Sequence, residues 1–267
     1  MRAWFEIYRA QFKTIFALQL QYRAAMVIWL ISTVLEPVVY LVVWSTVARA
    51  RGGSVGGFTL GDFAAYYIAL MVVNHLTFTW HMWEYDYRIR QGDLSPMLLR
   101  PLHPVHTDIA ENLSYKALTL TVVVPATAGL VLAFRPALHP PLWALVALGP
   151  ALLLAFAVRF TVGWIVALAA FWTTRINAIN QVYFVAMLFF SGQLAPLALL
   201  PEPIRWAGTL LPFRWMAAFP VELLLGRLRP GEAVVGLALQ GVWVGVSLVV
   251  ARAVWRAGIR RYTAVGA

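Results

Sequence analysis

Long apolar segments separated by short polar stretches dominate the hydrophobic pattern of this chain. Six such segments occupy residues 24–48, 62–83, 113–134, 141–172, 177–200 and 233–255. A helix needs about 20 apolar residues to cross the hydrocarbon core of a bilayer. The pattern therefore predicts an all-α integral membrane protein with six transmembrane helices, and residues 1–267 form a single transmembrane domain.

The N-terminal segment, residues 1–22, has a different pattern. Three basic residues are spaced among aromatic and aliphatic ones, and the apolar positions recur at helical intervals. This predicts an amphipathic helix that lies in the membrane interface. A signal peptide is the alternative, but Glu6, Arg9 and Lys13 interrupt the apolar core that it would need.

Composition agrees with a membrane protein. Hydrophobic residues make up 61% of the chain and charged residues 12%, whereas a soluble domain has about twice that charge. An ordinary soluble enzyme and a disordered chain are both excluded. The absence of cysteine also excludes disulfides, thiolate metal sites and cysteine nucleophiles.

The formal net charge is +10, and in so apolar a chain we assign it to anionic lipid rather than to nucleic acid. With the N-terminus inside, 13 Lys and Arg residues lie on the inner side, 7 lie on the outer side, and Arg159 lies within a span. This bias predicts that both termini are cytoplasmic.

Residues 84–112 form the most polar segment, and the orientation places them inside. They combine charges with leucines and with prolines at 96, 101 and 104, which predicts a short amphipathic helix bounded by turns. A docking element for a cytoplasmic partner is the first interpretation, and a solvated loop is the second. Asp108 and Glu111 are expected to be solvated or to face the partner.

Residues 191–230 are apolar but contain five prolines, at positions 196, 201, 203, 212 and 220. Non-helical backbone at membrane depth is tolerated only when it is buried in protein or lines a cavity. The segment therefore predicts a fifth helix that breaks and a pair of short helices that dip back from the outer face.

Two charges lie well within predicted spans. Glu36 precedes Pro37 in the first span, and Arg159 lies past the middle of the fourth. Because charges inside a bilayer are costly, such residues are functional candidates. We hypothesise that they form an ion pair, within one subunit or across the dimer. The pair is either structural or in contact with substrate, and the alternative is an Arg159 side chain that extends to the membrane interface.

The histidines give no clear metal site. His75 and His81 are six residues apart and do not share a helix face well. His103 and His106 have no carboxylate at a suitable spacing. We expect no metal, no cofactor and no catalytic residue in this chain.

The chain also cannot be a P-loop ATPase. A Walker A loop needs a Gly-Lys pair followed by Ser or Thr. The two lysines, Lys13 and Lys116, follow Phe12 and Tyr115. If transport is driven by ATP, another chain must hydrolyse it.

Several motifs resemble those of one transporter family. Residues 90–94 (RQGDL) and 98–102 (LLRPL) resemble the cytoplasmic loop of a subfamily of ABC-2 type permeases. The Ser191 and Gly192 pair, the prolines that follow and residues 211–213 (LPF) resemble the broken fifth helix and outer re-entrant hairpin of these permeases, as in type V exporters. Residues 258–262 (GIRRY) and Gly266 resemble the ending of that subfamily.

The resemblance implies an interfacial helix, six spans and a coupling helix that docks on an ATPase. Such permeases pair as homodimers or heterodimers, recruit two cytoplasmic ABC ATPase subunits that use ATP and Mg²⁺, and export lipids, glycans, drugs or toxins. They are multi-pass proteins of the plasma membrane, which in bacteria is the inner membrane. By this resemblance the ATPase-coupling residues are Arg90, Asp93, Leu94, Leu98, Leu99 and Arg100, and the outer gate contains Gly192, Pro196, Pro212 and Phe213.

Three other function classes remain as alternatives. A secondary transporter would need inverted repeats and coupling-ion residues at the membrane midplane. A membrane-embedded enzyme would need a group of reactive side chains near one interface. A membrane scaffold that transports nothing would explain the polar loop but not the broken helix.

Overall fold

A computed structural model describes residues 2–21 and 23–262. Over these residues the chain is almost entirely helical. The first helices are α1 (Arg2–Gln21), α2 (Arg23–Ala50), α3 (Leu60–Thr77), α4 (His81–Arg90), α5 (Leu94–Leu98) and α6 (Pro104–Phe134). The others are α7 (Leu142–Leu168), α8 (Ile176–Phe190), α9 (Glu202–Leu210), α10 (Phe213–Met216), α11 (Ala218–Leu224) and α12 (Pro230–Ile259).

A minimal hairpin precedes α3. Strands β1 (Ser54–Val55) and β2 (Phe58–Thr59) pair antiparallel, and the turn between them consists of Gly56 and Gly57 with positive φ. Thr59 then caps α3, because its side chain accepts a bond from the backbone N–H of Asp62 at 3.3 Å and its own N–H donates to the Asp62 carboxylate at 2.9 Å.

The predicted second span is interrupted. Residues 78–80 are not helical and separate α3 from α4, although residues 62–83 read as one continuous apolar helix. No proline or glycine marks this break. It lies where the backbone carbonyl of Phe78 accepts a hydrogen bond from the side chain of Lys116, at 2.6 Å.

The third helix begins earlier than its apolar segment. α6 starts at Pro104 rather than at residue 113, because proline suits the first turn of a helix and His103 caps it by accepting a bond from the Val105 N–H at 3.2 Å. Residues 104–112, about one third of the predicted cytoplasmic segment, therefore belong to α6.

Five described helical stretches are long and apolar enough to cross a membrane. They are Leu30–Ala50, Leu60–Arg90, Pro104–Phe134, Leu142–Phe171 and Pro230–Ile259. α8 is apolar but has only 15 residues, and it ends at Phe190 rather than at the predicted residue 200. The all-α membrane class is confirmed, whereas the count of six spans stays a prediction.

α3 and α7 form the centre of the protein. Phe63, Tyr67 and Met71 of α3 are at most 1% exposed, and α12 packs along α7. The outward faces of the helices expose large aliphatic side chains, such as Leu132 of α6 and Leu153 of α7, at more than 70%. In a membrane protein such faces are suited to contact with lipid.

One close approach offers a test of this packing. A Cβ at Gly236 in α12 would lie 2.1 Å from the buried Phe219 ring, whereas nothing lies within 4 Å of one at Gly241 in the same helix. We expect Gly236→Ala to destabilise the protein by about 1–3 kcal/mol through overpacking. Gly241→Ala should be neutral or slightly stabilising. Thermal unfolding in one detergent would compare them, and equal melting temperatures would contradict this packing.

Candidate functional site

The predicted coupling residues lie together at the end of α4 and along α5. Leu99 is 87% exposed and Leu98 is 36% exposed, and Arg90, Asp93 and Arg100 are also exposed. An exposed leucine pair beside charged residues is suited to contact with another protein.

Leu94 differs from the other predicted coupling residues. Its side chain is 0% exposed, so it cannot contact a partner as predicted, and it holds α5 against the rest of the protein. The physical reason is that a five-residue helix has too few internal hydrogen bonds to stay folded alone.

Two polar contacts also hold this segment in place. The Arg90 guanidinium pairs with Asp86 and donates to the Thr174 carbonyl at 3.1 Å. The Ser95 and Tyr262 hydroxyls are 2.8 Å apart. The end of α4 is thereby joined to the α7–α8 connection, and α5 is joined to the C-terminal end of the described chain.

Behind α5, a buried group of charges connects α4 to the start of α6. Arg88 pairs with Glu84 at 2.5 Å, with Asp108 at 2.5 Å and with Glu111 at 3.2 Å. The Tyr85 hydroxyl donates to Asp108 at 2.9 Å. The expectation of solvated or partner-facing carboxylates is wrong for Asp108, whose side chain is 0% exposed.

His103 lies next to this group, outside the spanning helices. Its ring packs against Trp255, with 4.5 Å between ring centroids. Burial lowers the pKa of His103, and the neighbouring His106 lowers it further. The imidazole is therefore neutral at pH 7, which agrees with its role as an acceptor at the start of α6.

The predicted outer gate residues surround the end of α8. Gly192 has a φ of +84°, and its carbonyl accepts a hydrogen bond from the Tyr66 hydroxyl at 2.8 Å. Two residues further along, the Leu194 carbonyl accepts hydrogen bonds from the Tyr67 hydroxyl and from the Trp44 indole N–H, each at 2.9 Å. These bonds replace the helical ones that are lost when α8 ends.

The other gate residues lie close by. Pro196 lines a second cavity of about 390 Å³ together with Tyr66. Pro212 is buried at the start of α10, and the Phe213 ring stacks on that of Phe190, with 6.2 Å between centroids. The pair of helices α9 and α10 therefore returns to contact α8 where α8 ends.

Within one chain, Glu36 and Arg159 do not form the predicted ion pair, whereas a pair across a dimer stays a prediction. Arg159 instead donates to Asn74 at 2.9 Å and to Thr77 at 3.0 Å, and it is absent from the ion pairs of the described residues. Asn74 and Thr77 lie beside the Arg159 guanidinium because α3 packs directly on α7. Glu36 is exposed on α2.

Glu36 and Arg159 nevertheless line one cavity, of about 730 Å³. It lies between α2, α3, α4, α6, α7 and α8, beside the break at residues 78–80. The cavity has aromatic, charged and amide side chains in its wall. They include Glu36, Asn74, His75, Trp80, Trp83, Glu84, Tyr115, Lys116, Arg159, Phe184 and Gln193.

Sequence reasoning missed Lys116 as a residue of this site. From the sequence alone, Lys116 lies three residues after the start of the third predicted span and is one of the 13 basic residues on the inner side. In the structure, Lys116 lies about three turns after the start of α6, and only 7% of its surface is exposed. The His103-Pro104 pair, a helix-start signal, could have revealed this position.

The histidines of the second span have other contacts. His75 Nε2 lies 3.0 Å from the Thr119 hydroxyl, and the His81 ring packs against Phe160. Across residues 2–21 and 23–262, no three His, Asp or Glu side chains are grouped closely enough to hold a metal.

Comparisons with known proteins supply a family. No curated protein and no solved structure matches the chain. The family described as ABC-2 family transporter protein matches residues 34–266. This match includes the coupling segment, the cavity and the outer hairpin region. Together with the apolar helices, it shows that the chain belongs to the ABC-2 transporter family, as a multi-pass membrane protein with a permease role in transport.

Proposed function

We propose that the chain is the transmembrane permease subunit of an ATP-binding cassette exporter. It would move a lipid-like, glycan or drug-like substrate, using ATP hydrolysed with Mg²⁺ by a separate ATPase subunit. The observation that carries the proposal is the segment 90–100, which contains α5 and the 87% exposed Leu99. It is anchored to two other parts of the chain, by Arg90 to the Thr174 carbonyl and by Ser95 to Tyr262. Such a segment can transmit a displacement to the spans.

The membrane topology is part of this proposal. α8 and the non-helical segment that follows it would together make the fifth of six crossings, with both termini in the cytoplasm. The excess of basic residues on one side supports this orientation. In a bacterium the protein would then lie in the inner membrane, and α1, which contacts α6 through a bond from Gln19 to the Glu111 carbonyl at 3.2 Å, would lie in the interface.

The arrangement of the outer hairpin region, residues 191–230, supports the proposal that it acts as a gate. The end of α8 and the start of α10 meet through the rings of Phe190 and Phe213. Between residues 202 and 224 there are three short helices, which are separated by residues 211–212 and by Ala217. Short elements joined by turns can shift without breaking a long helix. We propose that this region opens or closes the path when the ATPase moves α5.

The proposed complex also contains a second permease subunit, either another copy of this chain or a related one, and an ATPase dimer. The test is purification of the tagged chain in mild detergent, followed by identification of bound proteins and an assay of ATP hydrolysis. We expect an ATPase to copurify. Its recovery should fall at least tenfold for a Leu99→Glu, Arg100→Glu double variant.

Arg51, an exposed arginine that directly follows α2, provides a matched control. Arg51→Glu changes charge as Arg100→Glu does but lies next to the small hairpin, so it should leave ATPase recovery unchanged. Both variants should keep the melting temperature, since exposed substitutions rarely alter stability by more than about 0.5 kcal/mol. Equal ATPase recovery from all variants would contradict docking on α5. A native chain that elutes without ATPase in several detergents would favour a secondary transporter or a scaffold.

A further inference from the structure

The cavity of about 730 Å³ contains two deeply buried cations. Lys116 is 7% exposed and Arg159 is 4% exposed. Both lie near Phe78: Lys116 donates to its carbonyl at 2.6 Å, and the Arg159 guanidinium carbon lies 5.4 Å from its ring centroid. Two like charges are therefore held close together within spanning helices, where each is costly.

No carboxylate among the described residues forms an ion pair with either cation. Glu84, which also lines the cavity, is paired with Arg88 at 2.5 Å and accepts a bond from Trp80 at 3.0 Å. The other carboxylate of the wall, Glu36, is exposed. The inner part of the cavity thus carries positive charge that the protein itself does not neutralise.

The backbone supports a binding site at the same place. Residues 78–80 interrupt the helix between α3 and α4, and this break lines the cavity through Phe78 and Trp80. Broken helices at membrane depth are typical of binding sites in transporters. The break also brings neutral donors and acceptors close to the cations, and Gln193 lies 3.4 Å from Asn74 there.

Another part of the wall is apolar. The rings of Trp83 and Phe184 stack at 4.9 Å between centroids, and Leu70 and Met71 lie on the α3 side. A cavity of this size accommodates a drug-sized ligand. A ligand that satisfies both parts of the wall has a negatively charged group and an apolar body.

We propose that this cavity binds an amphiphile with an anionic head group, such as a phosphate, between Lys116 and Arg159, with its apolar part against the aromatic wall. This rests on the proposed function, because it names the class of substrate for the permease. A phosphate is the natural partner for a lysine and an arginine side by side, since both cations donate several hydrogen bonds to its oxygens.

The test measures binding to the purified chain in nanodiscs of zwitterionic lipid, without any ATPase. Two probes share one tail, 12-bromododecyl phosphate and 12-bromododecyltrimethylammonium, and bromine quenches the fluorescence of Trp80 and Trp83. We expect at least tenfold tighter binding of the phosphate probe. Lys116→Met should reduce that affinity at least tenfold, and Lys116→Arg should restore most of it.

Two controls separate the cavity from general charge attraction. Arg205→Gln removes an exposed arginine on α9 and should leave the affinity unchanged. Inorganic phosphate should compete poorly, because it has no tail. Arg159→Gln should also weaken binding. If this variant fails to fold, the Lys116 variants still decide, because among the described residues the Lys116 side chain makes a single direct hydrogen bond, to the Phe78 carbonyl.

Equal affinity for the two bromododecyl probes, or unchanged affinity in Lys116→Met, would overturn the inference and leave Lys116 and Arg159 as structural cations. If inorganic phosphate competes as strongly as 12-bromododecyl phosphate, the claim that the ligand also has an apolar body is overturned. ATPase recovery is measured separately, so loss of this binding with ATPase docking intact would refute the cavity inference alone.

Discussion

Replacement of Arg88 by methionine is expected to destabilise the protein by about 3 kcal/mol or more. The change leaves Asp108 buried and charged, with Glu84 and Glu111 nearby and no cation to offset them. Removing one partner of a buried ion pair costs about 3–5 kcal/mol, because the remaining charge is uncompensated. The measurement is thermal unfolding or denaturant unfolding in detergent.

Arg90 provides the matched control, because it lies two residues further along the same helix and also pairs with an aspartate. Its pair with Asp86 is exposed to solvent, so Arg90→Met should change the melting temperature far less. Adding Asp108→Asn to the Arg88→Met variant should recover part of the loss, since the two residues are directly coupled. Similar melting temperatures for the two arginine variants would show that Asp108 is not buried as described.

Gly192→Ala is the second change with a large expected effect. The glycine has a φ of +84°, and a Cβ there would lie 2.4 Å from the Tyr66 hydroxyl oxygen. The left-handed backbone costs an alanine about 1 kcal/mol, and the overlap in a packed site costs about 1–3 kcal/mol more. We expect a total loss of about 2–4 kcal/mol in stability, together with loss of transport in the assembled complex.

Two comparisons divide this effect into its parts. Gly53 also has positive φ, but nothing lies within 4 Å of a Cβ built there, so Gly53→Ala should show the backbone cost alone. Tyr66→Phe removes the overlapping oxygen and should partly rescue Gly192→Ala. An equal loss for Gly53→Ala and Gly192→Ala would show that Tyr66 does not hold the segment after α8.

The membrane class and most helices could be predicted from the sequence, because apolar length alone determines which segments can cross a bilayer. The short helix α5 was also foreseeable, since a glycine and prolines bound it. The break at residues 78–80 was not, because it contains no proline or glycine and depends on a hydrogen bond from α6, 38 residues away in the chain.

The candidate sites were less predictable than the fold. Glu36 and Arg159 stood out as charges within apolar segments, but sequence gives no distance between α2 and α7. Arg88 and Asp108 belong to the segment that is predicted to be a docking element or a solvated loop, and only the packing of α4 beside α6 turns them into a buried pair. Burial depends on contacts between segments, which a single sequence does not record.

The contact between Ser95 and Tyr262 has a consequence for biosynthesis. It joins positions separated by 167 residues, and at ordinary rates of translation the second partner appears about 10–30 s after the first. This hydrogen bond on α5 can form only after Tyr262 has been synthesised and has left the ribosome. The proposed ATPase surface therefore receives this contact long after α5 itself has been made, and a chain that stops before Tyr262 lacks it.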